Sequence, residues 1–263
     1  MGMANTADDA HHHSPLISNR FLFIVTSAIA ALALLSLAVH VFGRSFGQEL
    51  VLAGHSDSTA SFTVAIGQDQ LQLEANTTRF EDQRRDGESE RIDLYLLWPE
   101  MTGYSKDLRR RFDDIASTDS LIFLQLSQST MSRDMSGRVE PIYSLLFGGS
   151  PQNGPAGLTL HKFRRGTGYD NETLLTADLP DGTRYAVRCI LPADPSLATS
   201  GDCQRDIHVG KDLTVLYRFS SLMLKDWLAI DTAIRGHIEA RIKAPPLAPS
   251  HKMQRDPARN DSL

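Results

Sequence analysis

One uninterrupted apolar stretch, FLFIVTSAIAALALLSLAVHVF from Phe21 to Phe42, constrains this chain more than any other feature. It contains no Asp, Glu, Lys or Arg, and about 20 consecutive apolar residues suffice to cross a hydrocarbon core of roughly 30 Å as an α-helix. Because the apolar character is continuous and does not alternate, the stretch predicts a helix rather than a barrel strand. The sequence therefore predicts a single-pass membrane protein that contacts the lipid bilayer through Phe21 to Phe42.

Two other interpretations of this stretch fit less well. A cleaved signal peptide has an apolar segment of about 7 to 15 residues and a small-x-small cleavage site, whereas this longer stretch runs into the sequence HVFGR; Ser36 and Ala38 leave cleavage within it as an alternative. A core helix of a soluble domain would have a polar face, which Thr26, Ser27, Ser36 and His40 do not form. We therefore expect an uncleaved signal anchor.

The flanking charges do not orient the anchor, because Arg20 precedes it and Arg44 follows it. The segment before it is short and of low complexity, and the large part after it contains both cysteines. We therefore expect the N-terminus in the cytoplasm and the bulk of the chain outside. A short Ala/Leu-rich anchor without a eukaryotic targeting signal predicts the bacterial inner membrane, with the bulk of the chain in the periplasm.

The roughly 200 residues outside the anchor are enough for one domain with its own core. The predicted organisation is a disordered cytoplasmic tail at 1–20, the transmembrane helix at 21–42, a stalk at 43–60, an extracytoplasmic domain at 61–243 and a disordered tail at 244–263. The predicted fold class is α+β, a mostly antiparallel sheet with a long C-terminal helix packed on it.

Apolar residues that alternate with polar ones predict the strands of this domain. The run at 92–98, which Pro99 ends, predicts a central strand, and 121–126 predicts a second interior strand. Three β-hairpins are predicted, over residues 61–75, 172–191 and 207–219.

Helical spacing of apolar residues predicts three helices. The first runs from Ser105 to Ala116, and the second covers about 132–147 with Pro141 in its first turn or at a kink. The third runs from Ser221 to Ile242 and is predicted to pack across the sheet. Its apolar stripe is Met223, Trp227, Ile230, Ile234, Ile238 and Ile242, and its charged ladder is Asp231, Arg235 and Glu239.

The two cysteines, Cys189 and Cys203, bracket a segment that Pro192, Pro195 and Gly201 keep from forming a long regular element. In an exported domain a pair of cysteines is most simply a disulfide. Closing a loop of about 15 residues in this way contributes roughly 3 kcal/mol in the chain-entropy model. We therefore predict a disulfide between Cys189 and Cys203.

The alternative interpretation of Cys189 is a thiolate nucleophile that His161 or His208 would deprotonate. Carboxylates offer a second route to hydrolysis, since paired acids perform general acid and base catalysis. The acidic pairs in question are Asp113 with Asp114 and Asp93 with Glu100.

No further pattern in the sequence predicts chemistry. It has no His-Glu-x-x-His, Gly-x-Ser-x-Gly, phosphate-binding loop or Cys-x-x-Cys, and we predict no catalytic, cofactor-binding or metal-binding residue. A net charge of −5 with both signs interspersed gives no basic face for nucleic acid. The adjacent His11, His12 and His13 are a weak metal-binding pattern on a tail predicted to be disordered.

These observations predict a binding or scaffolding module in an envelope assembly, with a protein partner in the envelope. The alternative is a membrane-anchored envelope hydrolase. Ser27 and Ala31 lie four residues apart in the anchor, a small-residue spacing that lets two helices approach closely. That spacing predicts a homodimer through the anchor.

Overall fold

The structure is a computed structural model that describes residues 19–52, 54–114 and 119–243. The chain divides into two units, Met1–Ala53 and Gly54–Leu263. The first unit contains the apolar helix, and the second is a domain of strands, short turns and one long helix.

Several predictions lie outside the described residues. They concern residues 1–18 with the run His11–His13, the tail 244–263, and Ile115 and Ala116 at the end of the first predicted domain helix.

The first unit contains helix α1, Asn19–Leu52, which continues past Phe42 into the segment predicted as a stalk. Residues Asn19–Leu37 are long and apolar enough to cross a membrane, and none of them is buried. The hydroxyl of Thr26 donates to the carbonyl oxygen of Leu22 at 2.9 Å, which satisfies this polar group within the helix. The helix α1 thus has the length and composition of a signal anchor or a membrane span.

The second unit contains two sheets. The smaller has the strand order β2-β1-β3, and the larger has the order β4-β5-β11-β10-β9-β8-β7-β6. Neighbouring strands are antiparallel except for the parallel pair β1–β3. The strands are β1 (Ser61–Ile66), β2 (Asp69–Glu74), β3 (Gly87–Glu88), β4 (Arg91–Leu97), β5 (Leu121–Gln128), β6 (Gln152–Asn153), β7 (Thr159–Lys162), β8 (Thr173–Asp178), β9 (Arg184–Cys189), β10 (Cys203–Val209) and β11 (Leu213–Phe219).

The three predicted hairpins are confirmed as β1–β2, β8–β9 and β10–β11. Strands β1, β2 and β11 alternate buried and more exposed residues as their sequences do. The first hairpin turns at Gly67, whose φ of 57° lies in the left-handed region that glycine adopts at little cost. The α+β class and the mostly antiparallel sheet are therefore confirmed.

Two α-helices complete the domain, the short α2 (Arg109–Asp113) and the longer α3 (Trp227–Glu239). A 3₁₀ turn precedes α3, and the Ser220 hydroxyl accepts a hydrogen bond from the Leu222 amide at the start of that turn. Ile230, Ile234 and Ile238 of α3 are fully buried against the main core. The predicted packing of the C-terminal helix on the sheet is confirmed.

The main core lies on one face of the larger sheet, where the smaller sheet and α3 cover it. After α3 the chain joins the edge of β2: the Gln72 amide donates to the Arg241 carbonyl at 2.8 Å, and the Lys243 amide donates to the Gln70 carbonyl at 2.7 Å. The outward face of the larger sheet is covered at its two sides by smaller apolar clusters.

The prediction that 92–98 forms a central strand is wrong, because β4 is at one end of the larger sheet. The strand is nevertheless buried on both faces. Its outward residues, including Tyr95, pack with Tyr104 and Leu121, and the Arg79 amide donates to the Asp93 carbonyl at 2.8 Å along its edge. The continuous apolar sequence of β4 is explained by the segments that cover both of its faces, not by a central position in the sheet.

The predicted helix over 132–147 is also wrong. Only two 3₁₀ turns form there, Ser136–Arg138 and Tyr143–Leu146, because a proline inside a helix removes a backbone hydrogen bond and clashes with the preceding turn. The apolar residues of the segment still become buried. Met135, Val139 and Tyr143 pack on the outward face of the sheet.

Candidate functional site at a fork in the sheet

The larger sheet divides between β9 and β10. Each of these strands pairs along its full length with its other neighbour, but they pair with each other only at Cys189–Cys203 and Arg188–Gln204. Beyond these two pairs the strands separate and form a fork. At its closed end Cys189 and Cys203 lie at disulfide distance, with their sulfurs 2.04 Å apart and their Cα atoms 4.1 Å apart.

The side chain of Arg205 bridges the open part of the fork. It is only 4% exposed. Its Nε donates to Asp231 Oδ1 at 2.8 Å, and its Nη1 donates to Ser136 Oγ at 2.6 Å and to the Ala186 carbonyl at 2.8 Å. Arg205 thus connects β10, β9, the 3₁₀ turn at 136–138 and α3.

The groups around Arg205 hold fixed charge states. The Tyr217 hydroxyl donates to Asp231 Oδ1 at 2.7 Å, and burial raises the pKa of Tyr217 well above its ordinary value. Burial alone lowers the pKa of Arg205, but Tyr217 and Asp231 raise it by more, so that it lies above its ordinary value. Arg205 therefore stays charged and Tyr217 stays neutral at physiological pH, and their bonds to Asp231 persist.

A groove of about 750 Å³ opens beside the fork. Its walls are the turn at 134–137, the β8–β9 turn at 179–184 and the face of α3 at 228–235, and Arg205 and Asp231 line it where these walls meet. This volume is in the range of protein ligand sites. Three other clefts in the described part of the domain have volumes of about 280, 360 and 660 Å³.

The cations at the rim of the groove are held by neighbouring groups. Arg184 contacts Asp178 at 2.7 Å and Glu140 at 2.5 Å, and Arg235 Nη1 donates to the His208 carbonyl at 3.0 Å. Their side chains therefore have defined positions before any ligand binds, which lowers the entropy cost of binding.

The carboxylates of the two turns are held in the same way. Asp181 accepts hydrogen bonds from the Thr183 amide at 2.9 Å and the Thr183 hydroxyl at 2.6 Å, and these bonds lower the pKa of Asp181. Asp134 accepts from the Gly137 amide at 3.0 Å. The groove therefore presents charges of both signs on preorganised walls.

The fold does not bring Cys189 close to His161 or His208, the two histidines considered as bases for a Cys189 nucleophile. His161 shares a sheet face with Arg188 through the register of β7, β8 and β9, so it lies on the face opposite to Cys189. His208 is five residues beyond Cys203 on β10 and also lies on the opposite face. Neither imidazole can therefore deprotonate the Cys189 thiol in this fold.

Both histidines have other partners. His161 Nε2 is 3.0 Å from Thr176 Oγ1, and its ring stacks on Phe147 at 4.4 Å; burial lowers the pKa of His161. His208 Nε2 is 3.0 Å from Ser129 Oγ. These contacts serve packing on the outward face of the sheet.

The acidic pair Asp93 and Glu100 is bound to separate arginines. Asp93 binds Arg91 at 2.6 Å and Gln83 at 3.1 Å, and Glu100 binds Arg111 at 2.7 Å. Two carboxyl groups that act together as acid and base must flank one reacting centre. These ion pairs do not form that arrangement.

Asp113 is the last residue of α2 and Asp114 follows it, and both have interaction partners. Asp113 Oδ1 is 3.4 Å from Nε2 of His55. The His55 ring stacks on Tyr104 at 4.6 Å, and its Nδ1 is 2.9 Å from the Tyr95 hydroxyl. Burial lowers the pKa of His55. This cluster fastens the segment after Gly54 to the domain.

Sequence reasoning missed Arg205 and misjudged Asp231. Asp231 was predicted to belong to a charged ladder on the side of the helix away from its apolar stripe, but it is only 9% exposed. A usable signal was present, because Arg205 stands two residues after Cys203 and two before Ile207, at an inward position of an alternating strand. Among the described residues, no group of three or more His, Cys, Asp or Glu is placed to hold a metal ion.

The chain matches no protein-family profile and no curated protein. Among solved structures it resembles Smlt3025, an immunity protein of the Stenotrophomonas maltophilia type IV secretion system, at 15% identity and a TM-score of 0.48 over 72% of this chain and 94% of that one. It also resembles the Neisseria meningitidis iron-regulated outer membrane lipoprotein FrpD, at 9% identity and a TM-score of 0.44 over 72% of this chain and 95% of that one. At these values the resemblance identifies neither an activity nor a partner for this chain.

Proposed function

We propose that this chain is a single-pass envelope protein whose extracytoplasmic domain binds a partner protein in the groove beside the fork. The observation that carries the proposal is the groove itself, about 750 Å³ in volume with preorganised walls. The candidate nucleophiles and acids are each occupied elsewhere, so binding is the function that this geometry supports best.

The lining of the groove favours a protein segment as the ligand. Leu228 is 45% exposed and lines the groove together with Leu179 and Pro180, next to charges of both signs. Protein interfaces combine such an apolar centre with a polar rim. An open groove with this mixture fits a loop or an extended segment of a partner.

The location and the organisation of the chain form part of the same proposal. Phe21 to Phe42 spans the bacterial inner membrane, the segment at 43–60 is a stalk, and the domain at 61–243 lies in the periplasm.

Ser27 and Ala31 provide a small-residue surface for a homodimer of anchors. Replacing both by Ile should abolish self-association in a membrane two-hybrid assay, and an unchanged signal would exclude this dimer.

Site-specific photocrosslinking in cells tests the binding function. A photoreactive residue at Thr183 or Thr232, both exposed and on opposite walls of the groove, should give a discrete crosslinked adduct of the full chain. Thr159, equally exposed on β7 but outside the groove lining, is the matched control and should give none. Leu228→Asp should reduce the adduct from Thr183.

Two results would contradict the proposal. One is the absence of an adduct from both groove positions. The other is an adduct of equal yield from Thr159, because that would show contact without preference for the groove.

A further inference from the structure

A second surface, separate from the groove, lies on the outward face of the larger sheet. The clusters that cover this face leave part of it open, and a pocket of about 280 Å³ lies there, lined by β4, β5 and β11 together with Arg79 and Gly201. One cluster is Tyr95, Leu97, Tyr104 and Leu121, and the other is Met135, Val139, Tyr143, Leu174 and Ala186. The floor of this pocket is formed by β4, β5 and β11.

Two arginines flank one aromatic ring on this floor. The guanidinium carbon of Arg79 lies 5.1 Å from the centroid of the Phe123 ring, and Arg218 of β11 pairs directly with Phe123 of β5 in the register of the sheet. Both arginines are exposed. A guanidinium group over an aromatic face keeps its N–H edges available for hydrogen bonds to an anion.

The charge of these two arginines is not neutralised within the domain. Among the described residues no carboxylate lies within ion-pair distance of Arg79 or Arg218. The nearest acid in the pocket lining, Asp93, is bound by Arg91 through two bonds of 2.8 and 2.6 Å and by Gln83. The floor therefore carries two free positive charges in a chain of net charge −5.

We infer that this surface, defined by Arg79, Phe123 and Arg218, binds a carboxylate-rich segment of a protein. Arginine binds carboxylates through paired, charge-assisted hydrogen bonds, and two arginines beside one ring can hold two acidic side chains of an extended segment. A flat bilayer surface fits the site less well, because both arginines line a pocket, which an extended peptide can enter.

The test measures binding of fluorescein-labelled hexaglutamate to the full chain in nanodiscs of phosphatidylcholine by fluorescence anisotropy. Arg79→Gln with Arg218→Gln should weaken binding by at least about tenfold. The matched control, Arg165→Gln with Lys225→Gln, removes two exposed positive charges elsewhere and should change the affinity by less than about twofold.

Raising the salt concentration from about 0.05 M to about 0.5 M should weaken binding of hexaglutamate by the unmodified chain. Hexalysine should not bind.

Each contrary result would overturn the inference. One such result is no binding of hexaglutamate, and another is unchanged binding in the Arg79 and Arg218 variant. A third is equal weakening in both double variants, which would show nonspecific electrostatic attraction rather than binding at a defined site. Loss of peptide binding when the nanodisc lipid is changed to phosphatidylglycerol would place lipid headgroups on this surface instead. An unchanged thermal unfolding midpoint in both double variants excludes misfolding as the cause.

This inference stands independently of the groove. Crosslinking at Thr183 and Thr232 reports on the groove between the fork and α3, whereas hexaglutamate reports on the outward face of β4, β5 and β11. Failure of either experiment therefore leaves the other surface unaffected.

Discussion

At the scale of single residues, Arg205 is the side chain on which the domain depends most. It is almost fully buried and bonded to three groups from separate elements. Breaking a buried charge pair by removing one partner leaves the other charge unpaired and costs about 3–5 kcal/mol, whereas replacing both partners by apolar residues is often nearly neutral.

We therefore expect Arg205→Met to lower the free energy of unfolding by about 3–5 kcal/mol, measured by urea denaturation of the full chain. Adding Asp231→Leu should recover part of this loss. Arg165→Met, an exposed control, should stay within about 0.5 kcal/mol. A small effect of Arg205→Met would show that the bridge across the fork does not stabilise the domain.

His237 on α3 makes the stability of the domain depend on pH. Burial and, to a smaller extent, the charge of Arg241 lower the pKa of His237, and Glu74 raises it; together they lower it from 6.5 to about 4. Between these two pH values the unfolded chain binds a proton that the folded chain does not. The contribution of neutral His237 to the stability of the fold is therefore fully present above pH 6.5, and it is lost as the pH falls from 6.5 to about 4.

We expect the free energy of unfolding to fall by about 3 kcal/mol across this window, measured by denaturation at a series of pH values. His237→Gln should flatten the dependence. His208→Gln, which replaces a histidine on the outward face of the sheet, should retain it. An unchanged slope in His237→Gln would assign the effect to other groups.

At the scale of elements, the fork depends on the short pairing of β9 with β10. The two pairs at its closed end include Cys189–Cys203, and the Ile190 amide donates to the Asp202 carbonyl at 2.8 Å beside them. A crosslink between the two cysteines would keep the strands together where few ladder bonds do so.

We expect Cys189→Ser and Cys203→Ser to destabilise the domain equally, by roughly 3 kcal/mol, because either change removes the same crosslink. Hydrogen exchange at the Ile190 amide should become faster in both variants. Mass spectrometry of the non-reduced protein should detect no free thiol. A readily alkylated Cys189 together with a dispensable Cys203 would contradict the disulfide.

At the scale of the whole molecule, the proposed topology places the C-terminus outside the cytoplasm. A reporter that is active only outside the cytoplasm, fused after Leu263, should therefore be active. The same reporter fused after Arg20 should be inactive and serves as the control. Activity of only a cytoplasmic reporter after Leu263 would refute both the location and the disulfide, because cytosolic thiols stay reduced.

The sequence alone determined the features that local patterns encode. The apolar run from Phe21 predicted a long apolar helix, alternation predicted the three hairpins, and the isoleucine stripe of α3 predicted its buried face. Such features depend on periodicity within a short segment, and that periodicity can be read before any tertiary contact is known.

Only the tertiary structure decided how these elements combine. It placed β4 at the end of the sheet, replaced the helix predicted over 132–147 by turns, and brought Arg205 and Asp231 together from positions far apart in the chain. It also opened the fork between β9 and β10. These outcomes depend on which segments cover which faces and on the pairing of buried charges, and because such contacts join distant residues, no local pattern specifies them.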